Sequence, residues 1–255
     1  FKALLYISQV LQAEAIRYGV EHWRCNRGRC MGAIYWQLND CWPVASWSSI
    51  DYYGRWKALH YAARRFFKRQ TVFMQDNEKK LTWYAVNETQ TEWQGNLRIT
   101  IRKTDFTVLH EKYVEITCPP LCSKPVITMD YTDLCMEYGE ENIYVAYTLT
   151  IENNIESEKC ALFVRPKYFA FNKPKYKVTV KDCGEAFEIH INADTFCDYV
   201  ELSVDGADPV FSDNYFCIAT EAGVTVTADK KYFSENITPE RLEHSIDVYS
   251  IADSF

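Results

Sequence analysis

Near residue 70 the spacing of apolar residues changes from three and four to two, and this change limits what the chain can fold into more than any other feature of it. Upstream, Leu4, Ile7, Leu11, Ala15 and Tyr18 recur at helical spacing and predict an amphipathic helix over 4–23, stopped by Asn26-Arg27-Gly28. Residues 30–38 are a short, nearly unbroken apolar run, the pattern of a strand buried on both faces in a parallel sheet. A loop rich in Trp, Ser and Pro occupies 39–54, and a second helix is expected at about 55–68. Its apolar stripe is Trp56, Leu59, Ala63, Phe66 and Phe67, with Arg55, Lys57, Arg64 and Arg65 on the other side. Helix, buried strand, long loop, helix is the rhythm of a β/α barrel or another α/β fold. One strand and two helices cannot close such a sheet, so the segment reads as the tail of something larger.

Beyond residue 70 the alternation is that of half-buried strands. Leu97, Ile99 and Ile101 alternate with Arg98, Thr100 and Arg102, and Phe187, Ile189 and Ile191 with Glu188, His190 and Asn192. Strands are predicted at about 71–75, 80–87, 96–103, 107–116, 125–131, 142–152 and 160–165, and then at 176–181, 185–192, 198–204, 210–218 and 223–228. Many short strands between turn residues predict antiparallel sandwiches. Pro166 and Pro174 mark a connection between two of them. The expected division is a remnant of an α/β barrel over 1–69, one sandwich over 70–168 and another over 169–255.

The net charge of −7 excludes a broadly basic surface for nucleic acid. No apolar run approaches the roughly 20 residues of a membrane span. The chain begins at Phe1, as though entering a helix already under way, and the natural polypeptide is expected to extend upstream. The 10 cysteines include no CxxC pair and no zinc-site spacing, and read mostly as reduced, buried, small apolar residues of a cytoplasmic protein. Glycosylation triplets occur at Asn87-Glu88-Thr89 and Asn236-Ile237-Thr238. No two histidines share a metal-binding spacing, and no phosphate loop or other cofactor motif is present, so no metal or cofactor is expected.

The densest information lies between residues 32 and 66. Trp36, Trp42 and Trp47 fall close together, with Asn39, Asp40 and three serines around them. A loop that retains so many aromatics is expected to bind something. The segment Tyr35-Trp36-Gln37-Leu38-Asn39-Asp40, then Trp42-Pro43, then Ser46-Trp47-Ser48-Ser49-Ile50-Asp51-Tyr52-Tyr53-Gly54, resembles the last barrel strand and loop of β-mannosidases in glycoside hydrolase family 2. Lys57-Ala58-Leu59-His60-Tyr61 and Phe211-Ser212-Asp213-Asn214-Tyr215-Phe216 match as well.

The resemblance implies a retaining exo-glycosidase that removes terminal β-linked mannose. It implies a mainly β chain: the C-terminal tail of a (β/α)8 TIM barrel, then two immunoglobulin-like β-sandwich domains. Trp36 would end the last barrel strand and form a platform under the sugar, where barrel active sites lie. Asn39 and Asp40 would hydrogen-bond sugar hydroxyls or shape the loop, and Trp42 and Trp47 would line the leaving-group side. Retaining hydrolysis needs two carboxyl groups about 5 Å apart. The family's two glutamate motifs do not occur before residue 30, so the chain is expected to lack catalytic residues and to be inactive alone. Asp40 and Asp51 flank the loop, but nothing in the sequence makes them a catalytic pair. The implied partners are a mannoside or oligosaccharide substrate and the missing N-terminal part of the same protein, or self-association. The alternatives are a non-catalytic sugar-binding sandwich, with Trp83 and Trp93 on its surface, and a purely structural fragment.

Overall fold

The computed structural model describes residues 1–234 and 237–254, so Asn236 of the second glycosylation triplet lies outside the described residues. Two helices come first, α1 (Lys2–Cys25) and α2 (Ala58–Phe66). Strands β1 (Gln70–Asn77), β2 (Lys80–Asn87), β3 (Trp93–Lys103), β4 (Val108–Cys118) and β5 (Cys122–Asp130) follow. After helix α3 (Thr132–Tyr138) come β6 (Ile143–Ile151) and β7 (Asn154–Leu162). The last third holds β8 (Tyr176–Asp182), β9 (Ala186–Ala193), β10 (Cys197–Val204), β11 (Phe216–Ile218), β12 (Val224–Asp229), helix α4 (Pro239–Ser245) and β13 (Ile246–Tyr249). The chain is mainly β, and its strands are antiparallel.

The chain divides into two units. One comprises 15–34 and 63–170. Its sheets run in the order β1-β2-β5 and β4-β3-β6-β7. Alternation decides what they bury: Leu97, Ile99 and Ile101 of β3 and Leu81, Trp83 and Ala85 of β2 all enter one core. Trp83 meets Tyr147 edge to face at 6.1 Å within that core. Trp83 is 0% exposed and Trp93 4%, which corrects the reading of these two as surface platforms. The parity of each with its apolar neighbours along the strand already assigns it to the inner face. Asn87, the first residue of the other glycosylation triplet, is buried, and its amide donates to the carbonyls of Thr91, Cys118 and Pro119 at 2.8, 3.1 and 2.9 Å. It holds a turn together and offers no acceptor nitrogen at the surface.

The same unit contains the second half of α1. Glu21 is buried there between Lys159 of β7 at 2.9 Å and Arg17 at 2.8 Å. Burial pushes the Glu21 carboxyl up, but the two cations outweigh it and hold it below the ordinary range. Burial pulls the Lys159 ammonium down even with Glu21 beside it. Two cations on one carboxylate make the ionised triad the resting state.

The other unit comprises 1–14, 35–62 and 171–255. Its sheets are β12-β9-β8 and β11-β10-β13, with Phe187, Ile189, Ile191, Val200 and Leu202 inside. The expected long strand over 210–218 shortens to β11, and Phe211 instead bridges Ala228. The Asn214 side chain explains the break. Its amide accepts from the backbone N–H of Leu202 at 2.8 Å and donates to the Leu202 carbonyl at 3.0 Å, taking the place of ladder partners. Tyr215 then turns through φ 53° and puts its hydroxyl on Glu201. The first half of α1 packs in this unit through Tyr6, whose hydroxyl donates to the Tyr199 carbonyl at 2.5 Å.

Two expectations for residues 1–69 change. The strand over 30–38 does not form; the segment is irregular and Ile34 is almost fully exposed. A parallel strand needs a ladder partner along each edge. Among the described residues the nearest pairings are single bridges, Asn39 with Ile50 and Ile50 with Trp56. Helix α1 forms as expected, but it buries Tyr6, Val10, Ala13 and Val20, and the anticipated stripe of Leu4, Ile7, Leu11 and Tyr18 is exposed. At 100° per residue the two stripes lie about a third of a turn apart, so the helix carries two apolar faces and buries one.

Candidate functional site

Residues 35–62 fold into one unit, and the candidate residues lie on their loop. Its base is closed by backbone bonds from Ile50 N to the Leu38 carbonyl at 2.9 Å and from Asp40 N to the Ile50 carbonyl at 3.1 Å. The Trp36–Gln37 peptide bond is cis. Trp36 is 71% exposed, Trp42 63% and Trp47 69%. Three indoles standing in solvent on one loop are unusual, because large aromatic side chains ordinarily bury most of their area.

Behind the indoles lies a polar cluster. Asp40 is buried, and its carboxylate accepts from the hydroxyls of Ser46 and Ser48, the latter at 2.7 Å. Lys57 donates to Ser48 Oγ at 2.7 Å and stands 3.5 Å from Asp40 Oδ2. The two hydroxyls, and then Lys57, hold the Asp40 carboxyl below the ordinary range against the effect of burial. Ser49 Oγ donates to the Leu38 carbonyl at 2.9 Å and lies 3.0 Å from both Tyr35 Oη and His60 Nδ1. His60 rests edge to face on Trp56 with ring centres 4.3 Å apart. Its role is that of a satisfied packing histidine. Asn39 is exposed, with its amide donating to the Asp40 carbonyl at 3.2 Å. Asp51 is taken up by Arg55, at 2.6 Å, and by the backbone N–H of Tyr53. Burial raises the Asp51 carboxyl, but the bonds from Arg55 prevail and leave it below the ordinary range. Both loop aspartates are therefore ionised structural anchors, the opposite of the raised carboxyl that a general acid requires.

Lys57 is the residue sequence reasoning missed. It was expected on the solvent side of the second helix, but α2 starts one residue later and the Lys57 side chain is 17% exposed. The cluster continues into the second sandwich: the Phe211 N–H donates to Tyr61 Oη at 3.3 Å, and Tyr61 packs against both Trp56 and Tyr215. The Phe211–Phe216 segment singled out in the sequence thus holds α2. In the other unit a cavity of about 290 Å³ is lined by Trp23, Arg24, Arg27, Met31, Phe67 and Glu88 among others. None of the candidate residues lines it.

Two family models match in succession: a mannosidase immunoglobulin/carbohydrate-binding-module-like domain over residues 79–168, and an immunoglobulin-fold domain over 171–254. Immunoglobulin-type accessory domains of the mannosidase kind are the class that this fold defines. Across its whole length the chain is similar to β-mannosidases of glycoside hydrolase family 2, in their C-terminal part. The β-mannosidase of Capra hircus is 30% identical over 273 residues, and that of Bos taurus 29% over 271. Both matches take in 100% of this chain and 30% of the relative, so the chain spans less than a third of the relatives' length. β-Mannosidase B of Emericella nidulans is 46% identical over 67 residues, 25% of this chain. In fold, the chain matches the β-D-mannosidase of Dictyoglomus thermophilum with a TM-score of 0.84 at 24% identity, over 96% of this chain and 29% of that one. An exo-chitosanase of Amycolatopsis orientalis follows at TM-score 0.66 and 14% identity, over 95% of this chain and 33% of that one.

Proposed function

We propose that this chain is part of a retaining exo-β-mannosidase and supplies one wall of its sugar pocket, the two catalytic glutamates coming from polypeptide outside these residues. Trp36 is the platform under the terminal mannose, Asn39 its polar neighbour, and Trp42 and Trp47 the wall toward the leaving group. Asp40 serves the same wall from behind, through the loop. Residues 1–69 are the end of a catalytic barrel, and 70–168 and 169–255 are the sandwiches that carry it. The observation that carries this reading is the set of three exposed indoles on a loop braced by a buried polar cluster. Such an arrangement suits the apolar faces of a sugar ring, with few and well-placed polar groups. The second apolar face of α1 supports a larger parent, because it has the composition of a buried surface. That face is covered by the rest of the barrel. The ten free cysteines support a reducing compartment, the cytoplasm. Among the described residues no helix is long and apolar enough to cross a membrane.

The test is hydrolysis of p-nitrophenyl β-mannopyranoside by the intact polypeptide and by this chain. The intact protein is expected to release nitrophenol with a β-mannose product, and the chain alone to release none. Equal turnover by the chain alone would place the catalytic groups within it and overturn the reading.

A further inference from the structure

We infer that Lys57 is a positioning residue that fixes Trp47, and through it sets the grip on the sugar at the leaving-group side; this rests on the proposed mannosidase reading. Among the described residues, no backbone bond closes 41–48 onto itself, the last rungs being those at Asp40, Ser49 and Ile50. The tip of the loop is held by side chains alone. Trp47 lies between two serines, and both are gripped by Asp40. Ser46 Oγ also accepts from the Ser48 N–H at 3.1 Å, folding the three residues into one turn. Gln12 donates to the Trp47 carbonyl at 2.8 Å. The cation in this grip is Lys57, on Ser48 Oγ and beside an Asp40 side chain that is only 1% exposed. A carboxylate so buried needs a counter-charge, and removing that charge leaves it uncompensated. The turn then loosens around Trp47, whose ring has solvent on its open side and little packing to hold it. A binding ring must be held to about 0.5 Å to be effective, and here the lysine supplies that rigidity without touching the sugar.

Two measurements test this. The first is amide hydrogen exchange on the 255-residue chain with Lys57→Met. The amides of Asp40, Ser48, Ser49 and Ile50 are expected to lose protection at least about tenfold, while β3 and β9 keep theirs. Lys57→Arg, which keeps a cationic donor, is expected to restore most of it. Unchanged protection in Lys57→Met overturns the inference whether or not the protein is a mannosidase. If Lys57→Met fails to fold, Asp40→Asn is the second probe of the same grip, with the same expected loss and the same refuting result. The second is kinetic, on the intact protein. Lys57→Met is expected to raise KM about tenfold with kcat within twofold for mannobiose and for the aryl mannoside alike, since both leaving groups lie on the Trp47 side. Wild-type protein that cleaves no mannoside sinks the mannosidase reading. Wild-type activity with Lys57→Met kinetics equal to wild type on both substrates sinks the positioning role alone.

Discussion

Replacing Glu21 by Ala removes the carboxylate that stands between Lys159 and Arg17. Lys159 is left with its side chain 12% exposed and Arg17 with 35%. Removing one partner of a buried pair costs about 3–5 kcal/mol, mostly the desolvation of the charge left behind. Against a total stability of about 5–15 kcal/mol, that is a large fraction. With a urea slope of about 2 kcal/mol/M, a loss of about 4 kcal/mol moves the midpoint by about 2 M. Lys159→Met is expected to cost about as much, since it leaves Glu21 with Arg17 alone. The double variant Glu21→Leu/Lys159→Met removes both charges and keeps the volume. Its methionine retains the contact with Phe73, over whose ring the ammonium lies at 4.2 Å. It is expected within about 2 kcal/mol of wild type, because apolar replacement of a buried pair is often neutral. Urea unfolding followed by fluorescence of the buried Trp83 and Trp93 reads the unit that contains the triad. Single variants within 1 kcal/mol of wild type, or a double variant whose loss equals the sum of the two, would refute the reasoning.

Three further outcomes are expected. Because the folded Glu21 carboxyl lies below its ordinary value of 4.5, the unfolded chain binds the extra proton. Stability from this group is therefore complete above that value and is lost as pH falls through the lower folded one, and Glu21→Gln is expected to flatten that acid limb of a stability-against-pH curve. Gly95→Ala puts a Cβ 2.6 Å from the Thr150 carbonyl of the paired strand β6, where backbone cannot give way, and is expected to lose about 1–3 kcal/mol in urea unfolding. Trp42→Ala and Trp47→Ala are expected to change stability by no more than about 0.5 kcal/mol by thermal unfolding, because their rings are exposed; a larger loss would show that they pack.

Most strands were legible because one face of each sheet is buried, so Leu97-Ile99-Ile101 and Phe187-Ile189-Ile191 carry the period-two signal undiluted. The inward position of Trp83 was legible too, from the buried Leu81 and Ala85 on the same face of its strand. Helix α1 was legible as a helix and ambiguous as to face, since Tyr6, Val10 and Ala13 compete with Leu4, Ile7 and Leu11. The apolar run over 30–38 encodes burial, but a ladder needs partners, which sequence composition cannot supply. The loop tryptophans stood out by their density. The Lys57 grip did not, because ion pairs between a loop and the residue before a helix leave no periodic trace.

The most direct measurement is kcat/KM for p-nitrophenyl β-mannopyranoside in the intact polypeptide that carries this chain, with and without Trp36→Ala. Loss of a sugar-stacking ring is expected to lower it about 10- to 200-fold, with unfolding unchanged. A variant as fast as wild type would mean that Trp36 does not face the mannose, and the account of this loop as a pocket wall would fall.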